Sequence, residues 1–433
     1  MVNALVPREL LSWALTAVAL GALEGGLLGV IVKNQFADVA SPLVVNFAVA
    51  VVAGAPSFSN LTSFLFARLA AGRDKVIFLC RLMQLMALCL FLMVLPTATP
   101  FGLILFTLCT VVGRVAWSGV LTVRAAIWRA NYTRRWRGHV TARIVQLASL
   151  LVASVSAFVG FTMDWNGEAY RLIFPLAGLG ALAASRVFRR TRVRQHRRLL
   201  RSEEADQSGG DRQFSLRGAL EVLRENSEFR NYMIGMMVFG SGNLMIVALL
   251  VVLLNEHFSM GRLEQVMLTS SVPLFFLCFS ISHWAKLLAG RHIFGYRAIH
   301  SWTFVSSYVI LSIAVLAHIP WLLWLGSALL GSALAGGHLG WNLGHNDFTD
   351  DARSTLYMAI HVGLTGLRGL VMPLVGVAFY QFLQSVSPGS GVYSVLLPLV
   401  LASLGSAWFV YLHLERSRRM AQSGKVGPEN GRP

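Results

Sequence analysis

Apolar runs of twenty or so residues recur along this chain, separated by short polar breaks. A bilayer core of about 30 Å takes about 20 helical residues per crossing, so each run predicts a membrane-spanning helix. Six spans are predicted near 10–32, 41–66, 76–97, 101–124, 142–162 and 169–187. A long polar stretch follows, and six more are predicted near 230–254, 265–288, 296–318, 321–342, 356–383 and 392–413. The fold class is therefore an all-α polytopic membrane protein of twelve helices. The pattern divides the chain into a six-helix bundle over 1–188, a cytoplasmic linker over 189–228, a second bundle over 229–415 and a disordered cytoplasmic tail over 416–433. In the linker, Leu216, Leu220 and Leu223 recur at helical spacing, which predicts a short amphipathic helix on the membrane surface.

Composition agrees with lipid as the main solvent. Of 433 residues 55% are hydrophobic and 13% charged, with a mean hydropathy of +0.61. A water-soluble globule of that make-up would lack the polar surface to cover itself. The net charge of +17 points to nucleic acid only if the bases gather on one soluble module, and here they fall between apolar runs. With both termini placed inside, only Lys33, Arg171 and Arg262 fall outside, while Arg68, Arg73, Lys75, the run from Arg186 to Arg201 and Arg416 to Arg419 are cytoplasmic. This asymmetry predicts a bacterial-type inner membrane protein with cytoplasmic termini and a retained first span. Alkaline phosphatase fused after Gly209 is expected to be inactive. Activity there, with inactivity after Asn255, would reverse the orientation.

The two halves carry an internal repeat. Phe66-Ala67-Arg68-Leu69-Ala70-Ala71-Gly72-Arg73 matches Trp284-Ala285-Lys286-Leu287-Leu288-Ala289-Gly290-Arg291 at an offset of 218 residues. At nearly the same offset, Tyr132 to Gly138 echoes Phe348 to Ser354, so equivalent loops follow spans four and ten. Two matches at nearly one spacing predict six-helix halves in parallel topology. Gly25 with Gly26, and Gly336 with Gly337, predict close helix contact.

These loops resemble the signature of the major facilitator superfamily, a Gly-x-x-x-Asp-Arg-x-Gly-Arg-Arg type segment after spans two and eight. Arg68, Gly72, Arg73, Lys286, Gly290 and Arg291 occupy its basic and glycine positions, while Ala67 and Ala285 stand where the family has Asp. Arg114 with Gly119 is similar to the Arg and Gly that the family's proton-coupled exporters often carry in span four. The resemblance implies a secondary transporter working by alternating access, with spans one, four, seven and ten lining a central site.

Charges at membrane depth are costly and usually face a bundle interior. Glu24, Arg114 and Arg368 are the candidates, with Ser12 and Thr16 in step with Glu24, Thr107 and Thr110 with Arg114, and His361 and Thr365 with Arg368. Glu24 is taken as the only acid well inside a span. Two readings of it stand side by side: a proton-coupling carboxyl, or a fixed ion pair with Arg114 or Arg368. An excess of buried Arg suits an anionic solute, since a guanidinium offers paired donors to carboxylate or phosphate. Asn243 falls opposite Glu24 when the halves are aligned, as a cavity residue or an interhelical hydrogen bond. His338, Trp341 and Asn342 are either cavity residues or interfacial anchors. Arg134 and Arg135 in one half answer Asp350 and Asp351 in the other, a pairing expected to act as a cytoplasmic gate.

Phosphate-cradling, nucleophile-elbow and His-Glu-x-x-His motifs are absent from the sequence, and His345-Asn346-Asp347 offers metal-ligand types only. The expected function is proton-coupled transport of a small solute, with an exporter or an organic-anion carrier both fitting. A channel, or a membrane sensor with a transporter-like fold, is the other class. No cofactor, metal or nucleic acid is expected; the expected partners are the solute and membrane lipids, and the expected state is a monomer.

Overall fold

The computed structural model describes residues 2–132, 134–194, 200, 216–349 and 353–422. Among them are twelve helical segments long and apolar enough to cross a membrane: Pro7–Gln35, Pro42–Ala70, Lys75–Leu92, Pro100–Trp128, Arg143–Trp165, Tyr170–Phe188, Ser227–Glu256, Arg262–Ala289, Ile293–Leu316, Pro320–Phe348, Leu356–Val386 and Ser390–Gln422. These are spans one to twelve, and each falls on one apolar run. Local chemistry sets several boundaries. Pro42, Pro100 and Pro320 open their helices at the first turn, where a missing N–H is harmless. Thr99 caps span four through the Gly102 amide at 3.1 Å.

Two compact units result. One comprises Met1–Arg212 with Leu250–Leu274; the other comprises Gln213–Leu249 with Phe275–Pro433. The C-terminal end of span seven and the start of span eight thus pack with the first six spans. In the first unit, span one is buried against spans five and six, and Trp13 anchors it through edge contacts with Trp117, Trp128 and Phe188. In the second unit, span nine packs against spans ten and twelve. A helix covers Leu216–Glu225; Val222 on it is buried and Leu220 is exposed. The last helix runs on to Gln422, beyond the expected end of the second bundle.

Several spans are interrupted. Span one is two helices, Val2–Ala22 and Gly25–Gln35, because Glu24 adopts an extended backbone with φ −68° and ψ 135°. Span eight contains a π-helical turn at Met267–Ser271, where the Val272 amide reaches back to the Met267 carbonyl. Pro273 follows directly. Its ring has no N–H and crowds the carbonyl four residues before it, at Thr269, and widening the preceding turn relieves that clash.

Candidate functional site

The break in span one is the strongest chemical feature of the first unit. Glu24 caps the second half-helix, accepting a hydrogen bond from the Leu27 amide at 3.0 Å. The same oxygen, Oε2, accepts from the Ser270 hydroxyl on the π turn of span eight. Two irregular helix segments therefore meet at one carboxylate. Gly26 makes the approach possible: a Cβ there would lie 2.5 Å from Ser270 Oγ and 3.0 Å from the Thr269 carbonyl oxygen. Residues 25 to 33 are buried, but Glu24 itself keeps partial exposure. A carboxylate that is anchored, inside a span and still reachable can exchange a proton.

Arg114 on span four lies within electrostatic range of Glu24, is 8% exposed, and has no hydrogen-bond partner for its Nε among the described residues. Within this unit no ion pair within 4 Å joins Glu24 to Arg114 among the described residues. The expected stripe of Ser12, Thr16 and Glu24 does not form one site either. Ser12 donates to the Ala184 carbonyl on span six at 3.0 Å, and Thr16 donates to Ser12 of its own helix at 2.8 Å. The break before Gly25 resets the helical phase, so spacing by fours does not carry through to Glu24. In span four Thr110 likewise bonds its own helix, at Phe106, and Gly119 admits Leu82 and Phe66, whose side chains would lie 2.7 and 2.8 Å from an added Cβ.

Two further acids, Glu9 and Glu256, lie near the ends of their spans and make buried contacts. Glu9 is fully buried and accepts from Trp128 Nε1 at 2.8 Å, beside the Arg124 guanidinium that sits 4.2 Å from the Trp128 ring centroid. Glu256, ending span seven, pairs with Lys33. Asn46 of span two completes the triad, accepting from Lys33 Nζ at 2.6 Å and donating to Glu256 at 3.0 Å. Lys33, counted as a loop residue from its sequence position, is 6% exposed inside a helix. The signal for both acids is present but weak: each stands near the end of an apolar run, where sequence alone reads it as a boundary.

In the second unit, His361, Thr365 and Arg368 are all buried on span eleven. Thr365 donates to the His361 carbonyl at 2.9 Å and accepts from Trp341 Nε1 at 3.1 Å, so Trp341 is tied into span eleven. Arg368 donates to the Met236 carbonyl of span seven. Asn243 accepts from the Tyr308 hydroxyl of span nine at 3.3 Å. Asn342 is exposed and donates back to His338 of its own helix.

The whole fold can be compared with solved structures. The nucleoside transporter NupG, solved as a point mutant, superposes with a TM-score of 0.70 at 12% identity, covering 94% of this chain and 99% of that one. A D-xylose-proton symporter gives 0.70 at 12% identity, with 94% and 97% covered. The inward-open xylose transporter XylE from E. coli gives 0.64 at 12% identity, with 94% and 95% covered. The chain has the major facilitator fold. No family model and no curated protein sequence matches it.

The helices that follow the two repeat loops open on side-chain caps at equivalent positions. Asp74 caps the helix of span three through the Val76 and Ile77 amides at 2.9 and 3.0 Å. Its counterpart 218 residues on, His292, caps span nine through the Phe294 amide at 3.3 Å. The match therefore extends one residue past Gly-Arg, into a position where a carboxylate and an imidazole do the same work. Burial, aided by the charges of Arg416 and His413, lowers the His292 pKa to about 4. The ring is then neutral at pH 7 and can accept through Nδ1. Gly72 takes φ 66° in the turn, a left-handed conformation that favours glycine. Arg68, Arg73, Lys286 and Arg291 are exposed. Of the expected cytoplasmic gate, Asp350 and Asp351 lie outside the described residues, as do the side chains of Arg134 and Arg135.

Proposed function

We propose that the chain is a secondary active transporter that moves a small solute by alternating access, coupled to protons through Glu24. The observation that carries this reading is the carboxylate at the break of span one, held by the Leu27 amide and the Ser270 hydroxyl and still partly exposed. The fold adds to it, since its neighbours include a nucleoside transporter and a D-xylose-proton symporter. Ionised Glu24 accepts from both donors on one oxygen. Protonation removes the charge that strengthens those bonds, so the hold between the half-helix and the π turn weakens. A proton then changes the relative stability of two conformations, which is the requirement for coupling. Arg114 is the proposed solute contact in this unit, with an unused Nε donor close to the carboxylate.

The first test is identification of the solute. A ligand that binds the native state stabilises it, so a thermal-shift screen of metabolite and drug libraries on the purified protein should yield a class of stabilising compounds. In proteoliposomes the best of them is expected to show saturable uptake or efflux that responds to an imposed pH gradient. Flux that does not saturate would favour a channel, and binding without flux a sensor.

A further inference from the structure

The second unit buries more positive charge than its own described acids answer. Arg297 on span nine is 1% exposed and Arg368 on span eleven 5%. Both guanidiniums keep their charge under all ordinary conditions. Arg297 lies within electrostatic range of Arg368, and both act on His361 and Tyr232. Each guanidinium rests against a glycine that leaves room for it: Gly340 for Arg297 and Gly240 for Arg368, where an added Cβ would come within 2.7 and 2.4 Å.

The donors are only partly used. Arg297 Nη1 reaches His300 Nδ1 at 3.4 Å; because His300 Nε2 is 2.8 Å from the Ala333 carbonyl and must carry the proton, Nδ1 is the acceptor. Arg297 Nε and Nη2, Arg368 Nε, and both ring nitrogens of His361 make no hydrogen bond within 3.5 Å among the described residues, and the Tyr232 hydroxyl interacts with Arg297 at longer range. The described carboxylates of this unit are all committed elsewhere. Glu221, Glu225, Glu228 and Glu415 pair with Arg217, Arg353, Arg416 and Arg419, and Asp347 takes the Ile293 amide at 2.6 Å. An uncompensated buried charge is strongly unfavourable, and two of like sign repel as well. Water would satisfy donors without offsetting the charge.

We propose that the second unit binds a small oxyanion, a carboxylate or a phosphate, between Arg297 and Arg368, with His361 and Tyr232 at its side. Planar guanidinium forks match these groups in paired hydrogen bonds. The oxyanion is either an inorganic or short carboxylate ion taken from solution, or the anionic group of the solute itself. The site lies wholly within one unit and stands independently of proton coupling at Glu24.

The test is equilibrium binding to the purified full-length protein in nanodiscs. Sodium acetate or sodium phosphate replaces sodium chloride stepwise at constant ionic strength, and the melting temperature is read. A saturable rise is expected with at least one of the two oxyanions. Arg297→Gln and Arg368→Gln should each weaken half-saturation about tenfold or more, the loss of one charged hydrogen-bond donor, and Arg297→Lys should weaken it too. If the Gln variants do not fold, His361→Gln and Tyr232→Phe provide the same comparison with neither charge removed. Oxyanion binding that competes with the solute found in the screen assigns the site to the solute; binding without competition assigns it to a resident ion, and either result supports the proposal. A wild-type melting temperature that follows ionic strength alone overturns it, as does unchanged half-saturation in every folded variant. Neither outcome depends on whether protons drive transport.

Discussion

Glu256→Ala is expected to destabilise the first unit by roughly 3 kcal/mol, because it leaves a buried ammonium without its counter-charge. Lys33 is held in a helix at 6% exposure, and its Nζ has two acceptors, Glu256 and the Asn46 amide oxygen. Removing the carboxylate leaves only the neutral one. Asn46 also loses the acceptor for its own N–H at 3.0 Å. The charge swap Lys33→Glu with Glu256→Lys should recover most of the loss, since the Asn46 amide can turn over and present its oxygen to the new ammonium. Melting of the purified variants, followed by tryptophan fluorescence, reads both effects. A single variant as stable as wild type would mean that the triad is decorative, and a swap no better than the single variant would mean that shape outweighs charge.

The architecture is legible in the sequence because one physical demand dominates it. Every backbone polar group in lipid must be satisfied internally, so long apolar runs had to be helices and their number gave the fold. The signature loops are legible for a related reason: Gly72 and its repeat partner Gly290 each follow the helix that ends there, although of the two Gly72 alone takes a positive φ. Interior detail is less so. Glu24 stands out by its charge, but its stripe with Ser12 and Thr16 assumes an unbroken helix, and the extended backbone at Glu24 undoes that assumption. Gly25 and Gly26 predict close helix contact, which is the role Gly26 has against Thr269 and Ser270. Ser270 itself carries no signal, since one hydroxyl in an apolar span does not say which neighbour it meets. Arg297 lies beside a predicted boundary, and sequence alone does not distinguish an interfacial Arg from one turned inward. Helix packing between residues distant in the chain decides both cases.

Glu24→Gln is expected to abolish proton coupling while leaving the fold intact. The amide has nearly the shape of the carboxylic acid and its oxygen can still accept from Leu27 and Ser270, so the half-helix keeps its cap. What it cannot do is change charge. The variant should therefore behave as a permanently protonated carrier, exchanging solute for solute across the membrane without moving protons. Loss of the cap's ionic character costs about 1 kcal/mol, a small effect beside the complete loss of gradient-driven accumulation. Ser270→Ala keeps the carboxyl group and removes one of its two donors, so coupling should survive.

The most direct measurement follows protons and solute together in one preparation. Proteoliposomes carrying a trapped pH-sensitive dye receive the solute identified by thermal shift, and internal pH and solute content are read in parallel for wild type and Glu24→Gln. Wild type is expected to move protons in fixed proportion to solute, and the variant to exchange solute with no change in internal pH. Proton movement in Glu24→Gln equal to that of wild type would contradict the account, as would wild-type transport that leaves internal pH unchanged.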